Sequence, residues 1–192
     1  MMVDSDIDLL KRMIQPEATV ALESEYQKNI VKLIEVSDDY TVTIRGMPND
    51  DEVIVIKVDT FSAPTTIFLG NRGESKRADF AIITDTIEKG KFIVFIEMKR
   101  GKKTSKEKEI IQQLKGAQCF VEYCQAIGKS FWEKGDFLDN YKYRFVSIKN
   151  ITVNKKPTRS KSKDDIHDTP ENMLKISSPN HIQFNHLIGH KK

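Results

Sequence analysis

Residues 92–101 read FIVFIEMKRG. Five apolar residues in succession predict a β-strand that belongs in a core, yet Glu97 and Lys99 stand at its far end. Charge is costly to bury unless it is paired or coordinates a metal. Side chains alternate along a strand, so Ile93, Phe95, Glu97 and Lys99 share one face while Phe92, Val94, Ile96 and Met98 share the other. An acid and a base on one face at the mouth of a core strand therefore call for a partner.

Just upstream, ADFAIITD (residues 78–85) predicts a second strand, joined to the first by TIEKG, which has the length and glycine of a hairpin connection. The register that matches the faces pairs Ile83 with Ile93, Ala81 with Phe95 and Asp85 with Lys91. It also sets Asp79 across from Glu97. Directly opposed residues have Cβ atoms about 5 Å apart, and like charges there are destabilising. Lys99 can offset the repulsion, and so can a divalent cation. Mg²⁺ takes one or two carboxylates and leaves its other positions to water and phosphate oxygens. Asp79 and Glu97 are thus candidate metal ligands, with the Met98 carbonyl a further one. Lys99 is the candidate to orient or deprotonate an attacking water, or to neutralise a phosphate. Those parts suit hydrolysis of a nucleic-acid backbone.

The charge distribution points the same way. The 192 residues carry a net charge of only +3, but KRGKKTSKEK (residues 99–108) is dominated by cations and residues 141–163 contain no acid. Such segregation gives a basic face fit for a polyanion. Arg72, Lys76, Arg77, Arg100, Lys102 and Lys103 are the candidate cations to contact a nucleic-acid backbone, and KKPTRSKSK (residues 155–163) is a further basic tract whose affinity would be salt-sensitive.

Further out, TVALESEYQKNIVKLIE (residues 19–35) places Glu23, Tyr26, Ile30, Leu33 and Ile34 at helical spacing and predicts an amphipathic helix. YTVTIRG, EVIVIKVD and TTIFLG predict strands. SKEKEIIQQLKGAQCFVEYCQAIG predicts a second helix, capped by Ser105, with Ile110, Leu114, Ala117, Val121 and Cys124 as its buried stripe and Gly128 as its stop. YKYRFVSIKNI predicts a returning strand, residues 152–180 a long insertion, and HIQFNHLI (residues 181–188) an edge strand. The expectation is one α/β domain over residues 1–192, helices covering a mixed central sheet, with its core over about residues 20–150. No apolar run is long enough to cross a bilayer, and the acidic start is unlike a signal peptide, so a cytoplasmic protein is expected.

Asp79, the hairpin within the gap of seventeen residues, and Glu97-Met98-Lys99 ahead of a helix together resemble the PD-(D/E)xK nuclease superfamily. The superfamily takes in restriction endonucleases, Holliday-junction resolvases and phage-type exonucleases. The resemblance implies a restriction-endonuclease-like αβββαβ core, dependence on Mg²⁺ or Mn²⁺, and a nucleic-acid substrate, DNA ahead of RNA. It also implies an assisting glutamate on the first helix, for which Glu23 fits and Glu25 competes. A glutamine on the helix after the lysine would match Gln113, with Gln112 as the alternative. Ala78 stands where many members carry proline, and Ala117 where the exonuclease branch carries an aromatic residue. With one site per chain, cutting both strands calls for a homodimer or two successive nicks.

Other patterns carry less. Glu74-Ser75-Lys76 repeats the Glu-x-Lys spacing, but with no apolar strand before it. His181, His186 and His190 are expected as surface histidines, because Gly189 argues against a helix that would make them zinc ligands. Cys119 and Cys124 match no metal or redox spacing and are expected to be reduced structural residues. The rival reading is a non-catalytic nucleic-acid-binding module on the same fold, and an interaction domain without nucleic acid draws only on the modest net charge.

Overall fold

The computed structural model describes residues 4–35, 40–100, 106–150, 166–177 and 179–190. A short helix α1 (Asp6–Met13) opens the chain. It has a complete capping box between Ser5 and Asp8, with acids in its first turn and Lys11 and Arg12 in its last, which suits the helix dipole. A hairpin follows, β1 (Glu23–Glu25) and β2 (Lys28–Glu35), and then β3 (Tyr40–Arg45). Next come β4 (Val53–Lys57), β5 (Phe80–Thr86) and β6 (Gly90–Arg100). Helix α2 (Glu107–Phe131) leads to β7 (Lys142–Asn150), β8 (Leu174–Ser177), β9 (His181–Gln183) and α3 (Phe184–Ile188).

The strands form two sheets. One runs β4-β5-β6-β7-β8 and the other β1-β2-β3-β9. In the five-stranded sheet, β5 runs antiparallel to both β4 and β6, and β6, β7 and β8 run parallel. The expected hairpin register holds, with Ile83 on Ile93, Ala81 on Phe95 and Asp85 on Lys91. Strand alternation sorts the core into two halves. Ile54, Ile56, Ala81, Ile83, Ile93, Phe95 and Phe145 pack against α1 and α2. Val55, Phe80, Ile82, Val94, Ile96, Met98, Val146 and Ile148 pack against Val31, Leu33, Val42 and Ile44 of the other sheet. The architecture is α/β in three layers, helices, mixed sheet and second sheet, so the central sheet is buried on both faces.

Several expectations are corrected. Residues 19–35 form a hairpin, not a helix. Tyr26 and Gln27 both have positive φ (48° and 61°), the backbone of a tight two-residue hairpin turn. Beyond that turn Val31, Leu33 and Glu35 alternate with Lys32 and Ile34, so the buried set follows a period of two. TTIFLG is a loop whose Ile67, Phe68 and Leu69 are exposed. Gly128 lies within α2 rather than ending it; a Cβ there would stand 2.1 Å from Cδ1 of Phe137, so the residue is set by close packing. The α2 stripe of Ile110, Leu114, Ala117, Val121 and Cys124 is buried as expected, whereas Cys119 is exposed on the outer side. The expected insertion is corrected over residues 166–177, where Met173 enters the core and β8 extends the sheet beside β7. Ser105 and residues 152–165 lie outside the described residues. Residues 181–188 divide into an edge strand, β9, and α3.

Candidate functional site

Strand β5 starts at Phe80, opposite Ile96, so Asp79 is one step beyond the last pair and the next position on β6 is Glu97. Glu97 points to the helix-covered face, by alternation from Phe95. Asp79 is 8% exposed and Glu97 is fully buried. The Met98 N–H donates to Oδ2 of Asp79 at 2.6 Å, which fixes that carboxylate against β6. Lys99 Nζ lies 2.5 Å from Oε1 of Glu97. By strict geometry neither Glu97 oxygen accepts a hydrogen bond, although the Lys99 ammonium and the Asp79 backbone N–H both lie close enough to favour the ionised carboxylate. The Lys99 contact is therefore chiefly Coulombic attraction.

Burial and then the facing Glu97 carboxylate push Asp79 up to about 9. Burial raises Glu97 to about 7, with Lys99 holding it down. Burial works against the Lys99 charge, but the Glu97 carboxylate outweighs it and the ammonium is raised. At neutral pH the metal-free pair thus holds fewer than two negative charges. A buried carboxylate oxygen without a well-formed hydrogen bond forfeits about 1–3 kcal/mol, an arrangement that a ligand can relieve.

The loop that delivers Asp79 is fastened to α2. Glu74 accepts from the N–H groups of Gly70 and Arg72 at 3.1 and 2.8 Å, so the second Glu-x-Lys pattern serves the loop's own fold. Gln112 Nε2 donates to the Arg72 carbonyl at 2.7 Å, and Lys76 Nζ lies 3.8 Å from Glu109. Gly116 lets the backbone pass, since a Cβ there would stand 1.7 Å from the Lys76 carbonyl oxygen. Gln112 is thereby committed to the loop. Gln113 is half-buried, next to Leu114 of the core stripe, and between that stripe and the loop-facing side of α2. Arg72 is exposed; Lys76 and Arg77 are half-buried, with Arg77 over the Phe61 ring at 5.6 Å. Arg100 closes β6, its side chain outside the described residues, as are Lys102 and Lys103 altogether.

Glu23 does not reach this site. It stands on the outer hairpin, 2.6 Å from Lys32, and Glu25 pairs with Arg45 at 3.0 Å. The acid that helical reasoning missed is Glu35, at the end of β2. It shares the inward face of Val31 and Leu33 and acts electrostatically on Asp79, Glu97 and Lys99. The signal was present in NIVKLIE: a core strand ending in an acid on its buried face, the same pattern as at Glu97. His167, buried with Nε2 2.7 Å from the Leu187 carbonyl, is a structural histidine.

Hard carboxylate oxygens suit Mg²⁺ or Mn²⁺. Among the described residues, no group of three or more His, Cys, Asp and Glu side chains is placed to hold a metal ion. Also among these residues, no helix is long and apolar enough to cross a membrane. Comparison with protein-family models, with curated proteins and with solved structures gave no match. The residues themselves must carry the functional reading.

Proposed function

We infer that the protein is a metal-dependent nuclease of the PD-(D/E)xK type, acting on DNA ahead of RNA. The observation that carries the reading is the fully buried Glu97, with neither oxygen in a hydrogen bond of strict geometry, facing Asp79 and touched by Lys99. The order α1-β4-β5-β6-α2-β7 supports it, since that is αβββαβ with the β1–β3 segment between α1 and β4. The acids also stand at the carboxyl end of β6, where parallel strands of α/β sheets gather their ligands.

Asp79, through Oδ1, and Glu97, through Oε2, would hold Mg²⁺ or Mn²⁺, with the Met98 carbonyl as a further donor. The bound ion supplies a Lewis acid for the phosphate and a more acidic water. The Met98 N–H keeps Asp79 oriented. Lys99 holds a positive charge beside the carboxylates and is placed to steady the phosphate or the water. Gln113 is the candidate to orient substrate, and Arg72, Lys76 and Arg77, in the loop that leads to Asp79, are the candidates to contact a backbone phosphate.

The test is incubation of the purified protein with linear, circular, single-stranded and branched DNA and with RNA, in Mg²⁺ or Mn²⁺ and then in chelator. Cleavage that chelator abolishes is expected. Glu97→Gln or Lys99→Ala should lower it by about a hundredfold or more while leaving binding largely intact. No cut product under any condition would favour the rival, a non-catalytic nucleic-acid-binding module. That rival draws on the Lys99–Glu97 contact, which compensates one acid without any ion.

A further inference from the structure

Beside the two acids lies a second recess, of mixed polar and apolar lining, with no part in the reading above. Strand β7 runs parallel to β6 and in register, so Ser147 is the neighbour of Glu97 and Lys149 the neighbour of Lys99. Adjacent strands are about 4.8 Å apart, which sets the two residue pairs side by side on the helix-covered face. One strand further, Lys175 neighbours Ser147 and Ser177 neighbours Lys149. A cavity of about 200 Å³ opens there, lined by Ser147, Lys149, Lys175 and Ser177, by Met173 and Ile176, and by Glu107 and Ile110 of α2.

Two features of this cavity point to a ligand. The Ser147 hydroxyl is 99% hidden from solvent by its neighbours (1% exposed) yet has no hydrogen-bond partner. Buried hydroxyls are seldom left so, because each lost bond is costly. The charge is also one-sided: Glu107 lies 2.8 Å from Lys175 and offsets one ammonium, which leaves Lys149 in excess. A hydroxyl donor and ammonium groups, at the carboxyl ends of three parallel strands, have the chemistry of an anion site. The volume holds a phosphate group with a few waters, each of which takes about 30 Å³.

We propose that Ser147, Lys149, Lys175 and Ser177 form a phosphate-binding subsite, which takes the phosphate next to the one cleaved at Asp79 and Glu97. The subsite rests on the nuclease reading for its biological ligand, but not for its chemistry. Ser147 and Ser177 donate hydrogen bonds to phosphate oxygens, and Lys149 supplies the charge. An internal phosphodiester and a terminal phosphate share that chemistry, and substrate ends distinguish them.

The experiment has two arms. First, inorganic phosphate is titrated into the wild-type protein, Ser147→Ala and Lys149→Gln by calorimetry. Saturable binding is expected, weakened roughly tenfold in each variant by loss of a hydrogen bond or charge. Ser147→Ala should melt no lower than wild type, since the hydroxyl it removes is unsatisfied, so misfolding does not explain its loss. Second, oligonucleotide binding is measured against salt in the Glu97→Gln background, where cutting is suppressed. Lys149→Gln should reduce the salt slope by about one. Equal effects on 5′-phosphorylated, 3′-phosphorylated and unphosphorylated strands mark an internal phosphate; an effect confined to one phosphorylated end marks a terminal one.

Phosphate binding and salt slope unchanged in both variants would overturn the subsite, even if wild type cleaves normally. Altered phosphate binding in a protein that never cleaves would sustain the subsite and sink the nuclease reading instead.

Discussion

At Glu97 a fully buried carboxylate faces another acid, and among the described residues Lys99 is the cation that compensates it. The consequence is a pH dependence of stability. Asp79, near 9 when folded, lies far above its unfolded value, so across the range between them the folded chain holds a proton that the unfolded chain has lost. Stability of the metal-free protein should therefore fall as pH rises, by up to about 1.4 kcal/mol per pH unit from this one group. Thermal melts from about pH 5 to about pH 8 should show a declining Tm that Asp79→Asn flattens. Added Mg²⁺ should restore more stability at the alkaline end, because it favours the ionised carboxylates. A wild-type slope no steeper than that of Asp79→Asn would refute the burial argument. At this scale Asp79, Glu97 and Lys99 were legible in the sequence, because strand alternation carries a side chain's face with it. Glu35 was hidden, because its neighbours also fit a helical spacing.

Helix α2 and the loop before β5 depend on each other through Gly116. In an exposed helix, glycine to alanine stabilises by about 0.5–1 kcal/mol. Here the added methyl would meet a backbone carbonyl oxygen, which cannot swing aside. Gly116→Ala should instead destabilise by roughly 1–3 kcal/mol in urea titration and weaken any activity at Asp79, because the loop has to shift. A stabilising Gly116→Ala would show the contact to be loose. The same scale explains what the sequence concealed. The β5–β6 hairpin was readable from its apolar runs and its turn. The β1–β2 hairpin turns on Tyr26-Gln27, residues that carry no Asn-Gly signature, and Ile30, Val31, Leu33 and Ile34 fit either period. Helix α1 was missed although Ser5 and Asp8 spell its capping box; eight residues are too few for an apolar stripe to declare itself.

Across the whole molecule, the layers are tied by buried polar links as well as by apolar packing. Asp6 of α1 is 3% exposed, with Lys134 Nζ at 3.0 Å and Lys91 Nζ at 3.6 Å. It also accepts from the Leu138 N–H at 3.3 Å, so one carboxylate joins α1 to the central sheet and to the segment after α2. Asp6→Ala should cost roughly 2–3 kcal/mol, with the Lys91 share discounted because that ammonium is partly in water. Denaturant titration checks it, and a loss below about 0.5 kcal/mol would mean that apolar packing alone seats α1. The five-stranded sheet was largely foreseen, since both of its faces are apolar. The second sheet was not, because its closing pair joins distant parts of the chain: Thr43 of β3 neighbours His181 of β9, 181 − 43 = 138 residues later. During synthesis at about 5–20 residues per second, that interval lasts roughly 7–28 s. Throughout it, one edge of β3 emerges from the ribosome with its backbone groups unclaimed, open to a nascent neighbour or a chaperone.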